Sequence, residues 1–252
     1  MAATSTTSQA PFWRSTLGRK VVMAVTGVIL FGFVVGHMAG NLQVYLGPEA
    51  MNAYAVFLRT MLHGAGLWIA RSVLLVSVVL HIWAAVTLSL ESRSARPQGY
   101  RQEAHRASTY ASRTMVWSGP LLFLFIAYHL AHLTFGSVHP EFVEGDVYHN
   151  FVSGFSSWPV SLLYIAAMLV LGLHLFHGSW SMLQTLGLSH PRWNPLRLFL
   201  AAGLSLLVVV GNLSFPVAVL AGFLRDDREL MEPLDNALSA PAPPPAASEA
   251  LH

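Results

Sequence analysis

Six histidines fall inside long apolar stretches of this chain: His37, His81, His129, His132, His174 and His177. A neutral imidazole can ligate a metal, carry a proton or simply pack with a hydrogen bond. Within a bilayer a polar group is costly, so it faces a bundle interior and commonly serves an ion, a proton or a cofactor. The chain has 12 histidines, a single lysine (Lys20) and no cysteine. Thiolate-held clusters, disulfides and Cys-x-x-Cys-His haem attachment are therefore excluded within this polypeptide, and any redox centre must hang on histidine or methionine.

The elements that must position these rings are membrane helices. Of 252 residues, 54% are hydrophobic and 10% charged, against about a quarter charged in soluble domains. Five stretches, 21–41, 67–91, 114–136, 159–187 and 196–222, are long enough to span the hydrocarbon, which takes about 20 helical residues. The apolar run of the first exceeds the roughly 7–15 residues of a signal-peptide core, so it reads as a retained helix. The expected fold is an all-α membrane protein with five transmembrane helices, four of them forming a histidine-bearing bundle and the histidine-free fifth packing outside it.

Charge asymmetry orients the bundle, because arginine and lysine accumulate on the cytoplasmic side. Arg14, Arg19 and Lys20, then Arg93, Arg96, Arg101, Arg106 and Arg113, then Arg192 and Arg197 mark one side. Glu141, Glu144 and Asp146, then Asp226, Asp227 and Glu229 mark the other. The N-terminus is expected in the cytoplasm and the C-terminus outside. The pI near 9.2 thus carries topology rather than nucleic-acid binding. Residues 1–20 are expected to form a cytoplasmic arm, 21–222 the membrane domain, and 223–252 an acidic, then Pro/Ala-rich external tail whose composition predicts disorder. Within the domain, 44–66 is too polar to span and reads as an amphipathic helix along the outer surface.

Spacing pairs the histidines by depth. TGVILFGFVVGH in the first helix and SGPLLFLFIAYH in the third each carry a hydroxyl residue, a glycine, and a histidine ten positions after that glycine. His37 and His129 therefore both lie about 25 Å from their basic anchors Lys20 and Arg113. On the second and fourth helices, His81 is near mid-membrane and His177 deeper toward the cytoplasm, a looser match made partly by elimination. His132 and His174 share helical faces with His129 and His177, so either could be the ligand instead. Two facing histidines can supply both axial ligands of a haem iron, and two such pairs make two stacked haems. Gly27, Gly32, Gly36, Gly119 and Gly178 would let a flat macrocycle approach the backbone, or serve ordinary small-residue packing.

The block STLGRKVVMAVTGVILFGFVVGHMAGNLQVYLGPEAMNAYAVFLR, with the histidines of helices two to four, resembles the single-polypeptide, di-haem cytochrome b membrane anchor of succinate:quinone oxidoreductase (succinate dehydrogenase or fumarate reductase). The resemblance covers roughly residues 11–225. It implies that His37 and His129 hold an outer haem b and His81 and His177 an inner one, HGSWSMLQ favouring His177 over His174. It further implies docking beneath a flavoprotein and an iron-sulfur protein, which hold FAD and the clusters, with ESRSARPQGYRQEAHR as a docking surface. Electrons would pass to a quinone, menaquinone favoured over ubiquinone, in the bacterial cytoplasmic membrane, and the complex could assemble into a higher oligomer. A fumarate-reducing branch carries a glutamate two residues before the fourth-helix ligand. Leu175 stands there, which favours succinate oxidation.

A quinone needs an apolar slot with hydrogen-bonding groups. Asn41, Gln43 and Glu49 at the outer end, or Ser15 and Arg19 at the inner end, could provide them, or could serve as caps and interfacial anchors. Arg19, Lys20, Arg93 and Arg113 could neutralise haem propionates. Two other classes compete: a di-haem cytochrome b of a hydrogenase or formate dehydrogenase, and a transporter using histidines as a haem-free proton relay.

Overall fold

The computed structural model describes residues 11–94, 110–188 and 190–226, the side chains of Arg14 and residues 110–113 excepted. The α-helices are α1 (Thr16–Asn41), α2 (Pro48–Thr60), α3 (Ala65–Ser94), α4 (Tyr110–His129), α5 (Val147–Ser156), α6 (Trp158–Thr185) and α7 (Asn194–Leu220). Five of them, α1, α3, α4, α6 and α7, are long and apolar enough to cross a membrane, and they coincide with the stretches read from the sequence. The arginines of 95–109, with most of the expected docking segment, and the tail from 227 lie outside the described residues.

Local chemistry sets the helix ends. The Ser15 hydroxyl accepts from the Gly18 amide at 3.0 Å and donates to the Phe12 carbonyl at 2.6 Å, closing the first turn of α1. Pro48, Pro159 and Pro195 stand in the first turns of α2, α6 and α7, where a missing amide costs nothing. α4 passes at His129 into a wider π-helical turn, Leu130–Thr134, a local distortion that often accompanies functional sites.

The bundle consists of two packed pairs. α1 lies along α3, and α4 lies along α6. Among the described residues α1 does not pack along α4, nor α3 along α6, and the two pairs meet where α1 touches α6. α7 packs on α6 and reaches α1, outside the histidine-bearing four. Its close approach depends on absent side chains: a Cβ at Gly172 would lie 2.5 Å from Val209, and one at Gly211 would lie 2.3 Å from the Met38 sulfur. Ser205 donates to the Gly172 carbonyl at 3.0 Å across the same seam.

One end of the bundle carries a dense cap built from α2, α5 and the end of α7. Val44, Met51, Tyr148, Phe151, Val152, Phe155 and Phe215 form its buried centre. The helix expected within 44–66 is α2. α5 is unexpected, since its ten residues sit in a connection that reads as merely acidic. Asp146 caps it by accepting from the His149 amide at 3.0 Å, and Asn52 of α2 accepts from the Val147 and Tyr148 amides at 2.9 and 3.1 Å. Polar side chains thus satisfy the helix's first amides, and its aromatic residues complete the cap.

At the opposite end, Arg19 of α1 pairs with Glu91 of α3. Arg197, read from sequence as a loop cation, is buried. It donates to Asn194 Oδ1 at 2.9 Å and to the Trp180 carbonyl at 3.1 Å, with its guanidinium 4.2 Å from the Trp180 ring centroid.

Candidate functional site

Near the capped end, His37 of α1 meets His129, the last residue of α4. Their ring centroids are 5.8 Å apart and their planes 84° to each other. Phe33 stacks on His37 at 5.3 Å, and Phe125 flanks His129 at 5.9 Å, giving both rings apolar neighbours. His129 Nδ1 lies 3.3 Å from the Tyr164 hydroxyl of α6, and His37 Nε2 lies 3.4 Å from Asn41 Nδ2. This is the pair that matched depth suggested.

Deeper in the bundle, His81 of α3 faces His174 of α6, with centroids 6.4 Å apart. The ring that faces His81 is thus His174, whereas the sequence reading favours His177. The reason is helical geometry. His81 and His174 each stand sixteen residues beyond the first residue of their helix, Ala65 and Trp158, which puts both about 24 Å from the capped end. His177 is three residues further on, about 4.5 Å deeper and rotated by roughly 60° around the helix. Among the described residues its ring is half-buried and has no hydrogen-bond partner or ring contact.

Hydroxyl groups hold the inner rings. Thr26, 5% exposed, places Oγ1 3.1 Å from His81 Nδ1, and Ser118, fully buried, places Oγ 3.3 Å from His174 Nδ1. The Thr26 proton is already committed, because the hydroxyl donates to the Val22 carbonyl at 2.7 Å. With that proton engaged, Thr26 is placed to accept from His81 Nδ1, an arrangement that would leave Nε2 its lone pair. That is the form in which imidazole ligates a metal, and a second partner on the far nitrogen orients the ring. Thr26, Ser118 and Tyr164 were missed as functional residues in the sequence. The signal was present in the TG and SG that open the repeated segment, read there only as a marker of depth.

His132 has a different role. It is 2% exposed, stacks on His139 with centroids 4.8 Å apart and on Tyr128 at 5.5 Å, and contacts the Tyr164 hydroxyl at 3.1 Å. A Cβ at Gly154 would come within 2.8 Å of its ring. His132 is therefore sealed into the cap by the π-helical turn and belongs to the packing.

With centroids 5.8 and 6.4 Å apart, each pair of rings is close enough that its two imidazoles could hold one metal ion between them, a separation that ordinary ring packing also gives. Side chains added at Gly32, Gly36, Gly119 or Gly178 would meet no heavy atom within 4 Å, whereas one at Gly27 would sit 3.6 Å from His81 Cε1. The backbone is thus open at these four glycines, of which Gly32 and Gly36 are exposed. Among the described residues no cluster of three or more metal-ligating side chains occurs, and axial ligation of a macrocycle needs two. The donor set fits haem b.

The remaining candidates are scattered. Asn41 stands beside His37, while Gln43 follows in a 3-10 turn and the exposed Glu49 opens α2. At the inner end the Ser15 hydroxyl is taken by its capping role, and Arg19 is engaged with Glu91. Lys20 and Arg93 are exposed, and Arg113 stands in the first turn of α4. No family model, curated protein or solved structure matches the chain.

Proposed function

We propose that this chain is the di-haem cytochrome b membrane anchor of a succinate:quinone oxidoreductase. In that role it passes electrons from flavoprotein and iron-sulfur partners to quinone in a bacterial cytoplasmic membrane. The observation that carries this is the presence of two facing histidine pairs at two depths, His37 with His129 and His81 with His174. Two haems b, when bound, would supply one-electron carriers at two levels of the bilayer. The chain's own residues would do the rest: four imidazoles would ligate, Thr26, Ser118 and Tyr164 would orient them, and Phe33 and Phe125 lie against the outer rings. Burial and hydrogen bonds to the ligands are the protein's means of tuning a haem potential.

The two levels follow from helix rise. Thr26, beside His81, lies eleven residues before His37, and Ser118, beside His174, lies eleven before His129, so the pairs are about 16 Å apart along the bundle. By the charge asymmetry, the capped end is the outer one and His81 with His174 is the pair nearer the cytoplasmic partners. Asn41, at 3.4 Å from His37, is the polar group best situated to meet a quinone at the outer end. With His174 as the fourth-helix ligand, the position two residues earlier is Gly172, again without a carboxylate. That supports succinate oxidation.

The test is to purify the protein with its natural partners and add succinate. Co-purification of a flavin-bearing subunit together with succinate-reducible b-type absorption is expected. Reducible b-type bands without any flavin-bearing, succinate-oxidising partner would reassign the chain to another respiratory complex. Complete absence of haem would favour a histidine proton relay.

A further inference from the structure

The repeated segments of α1 and α4 do more than mark depth. α1 supplies His37 to the outer pair, and its Thr26 touches the ring that α3, the helix it packs against, supplies to the inner pair. α4 does the same: it supplies His129, and its Ser118 touches the ring carried by its own packing neighbour, α6. Each half of the bundle therefore repeats one device, a hydroxyl for the neighbour's histidine and, eleven residues on, a histidine of its own.

We infer that Thr26 and Ser118 are a matched pair of positioning residues that fix the Nε2 of His81 and His174 for ligation and lower the potential of the inner haem. This rests on the proposed di-haem function. The geometry behind it is independent of the ligand: both hydroxyls are buried, both lie on Nδ1, and the Thr26 proton is committed to Val22. An acceptor on Nδ1–H makes the imidazole a stronger donor at Nε2. A stronger donor favours ferric over ferrous iron. Without the oxygen, the inner haem should be easier to reduce, whereas the outer ligands, which contact Asn41 and Tyr164, keep their partners.

The experiment is an optical redox titration of the assembled, haem-bearing complex as wild type, Thr26→Val, Thr26→Ser and Ser118→Ala. The inner midpoint is identified as the one that remains in His37→Ala. In Thr26→Val and Ser118→Ala the inner redox equilibrium should shift toward the reduced form by up to about tenfold, which is about 59 mV for one electron. The outer midpoint should stay fixed, and Thr26→Ser should titrate as wild type. An unchanged inner midpoint in both oxygen-free variants overturns the inference, as does a Thr26→Ser shift equal to that of Thr26→Val. Should Thr26→Val fail to assemble, Ser118→Ala decides alone. Failure of the di-haem function itself would be seen separately, as wild-type protein without b-type bands.

Discussion

His81 and His174 face each other with ring centroids 6.4 Å apart, each sixteen residues into a helix that starts at the same end of the bundle. His177, three residues beyond, lies about 4.5 Å deeper and is turned about 60° from His174. His174→Ala should therefore lose one of two b-type components, and His177→Ala should retain both. Reduced-minus-oxidised spectra of the purified variants check this. Loss of a component in His177→Ala alone would restore the pairing first expected from the sequence.

His132 stacks on His139 and Tyr128 within the cap, and Gly154 leaves it the space. Gly154→Ala would press a methyl group against that ring, an overpacking that costs about 1–3 kcal/mol. Lower thermal stability in detergent is expected, with both b-type components retained at low temperature. His132→Ala should behave alike, because it removes a packed side chain rather than a ligand.

Outside the membrane spans, His149 of α5 is bonded to Asp226 just beyond α7 and to the Glu141 carbonyl at 2.8 Å. Burial pulls its pKa down, but the hydrogen bonds to Asp226 and Glu141 and the charges of both residues outweigh that, holding it above the ordinary 6.5. A group whose folded pKa is raised stabilises fully below its unfolded pKa and loses that contribution as pH rises through the folded one. The cap should thus be firmest below about pH 6.5 and loosen above the raised value. Hydrogen exchange of α5 amides across this range measures it. Asp226→Asn should flatten the dependence, and an unchanged pH profile in that variant would contradict the assignment.

Much of this architecture was legible in the sequence because membrane helices declare themselves by length and apolarity, conditions that α1, α3, α4, α6 and α7 meet. The His37–His129 pair was legible because both residues end a repeated segment on helices that run the same way. That His174 rather than His177 faces His81 was not legible, because His177 was favoured by elimination and by the HGSWSMLQ resemblance, although the depth of His81 already matched that of His177 only loosely. α5 escaped notice because it is only ten residues long and contains Asn150, Ser153 and Gly154, which are weak helix formers. Its stability comes from tertiary contacts and from caps contributed by Asp146 and Asn52. The roles of Thr26 and Ser118 depend on which helices pack together, and spacing within one helix does not carry that information.

The most direct measurement of the central claim is a redox-titrated absorption spectrum of the purified complex. Two b-type components with separate midpoints are predicted, one lost in His37→Ala and the other in His174→Ala. Wild-type protein that shows no reduced b-type bands, or a single component unaffected by either substitution, would contradict the account.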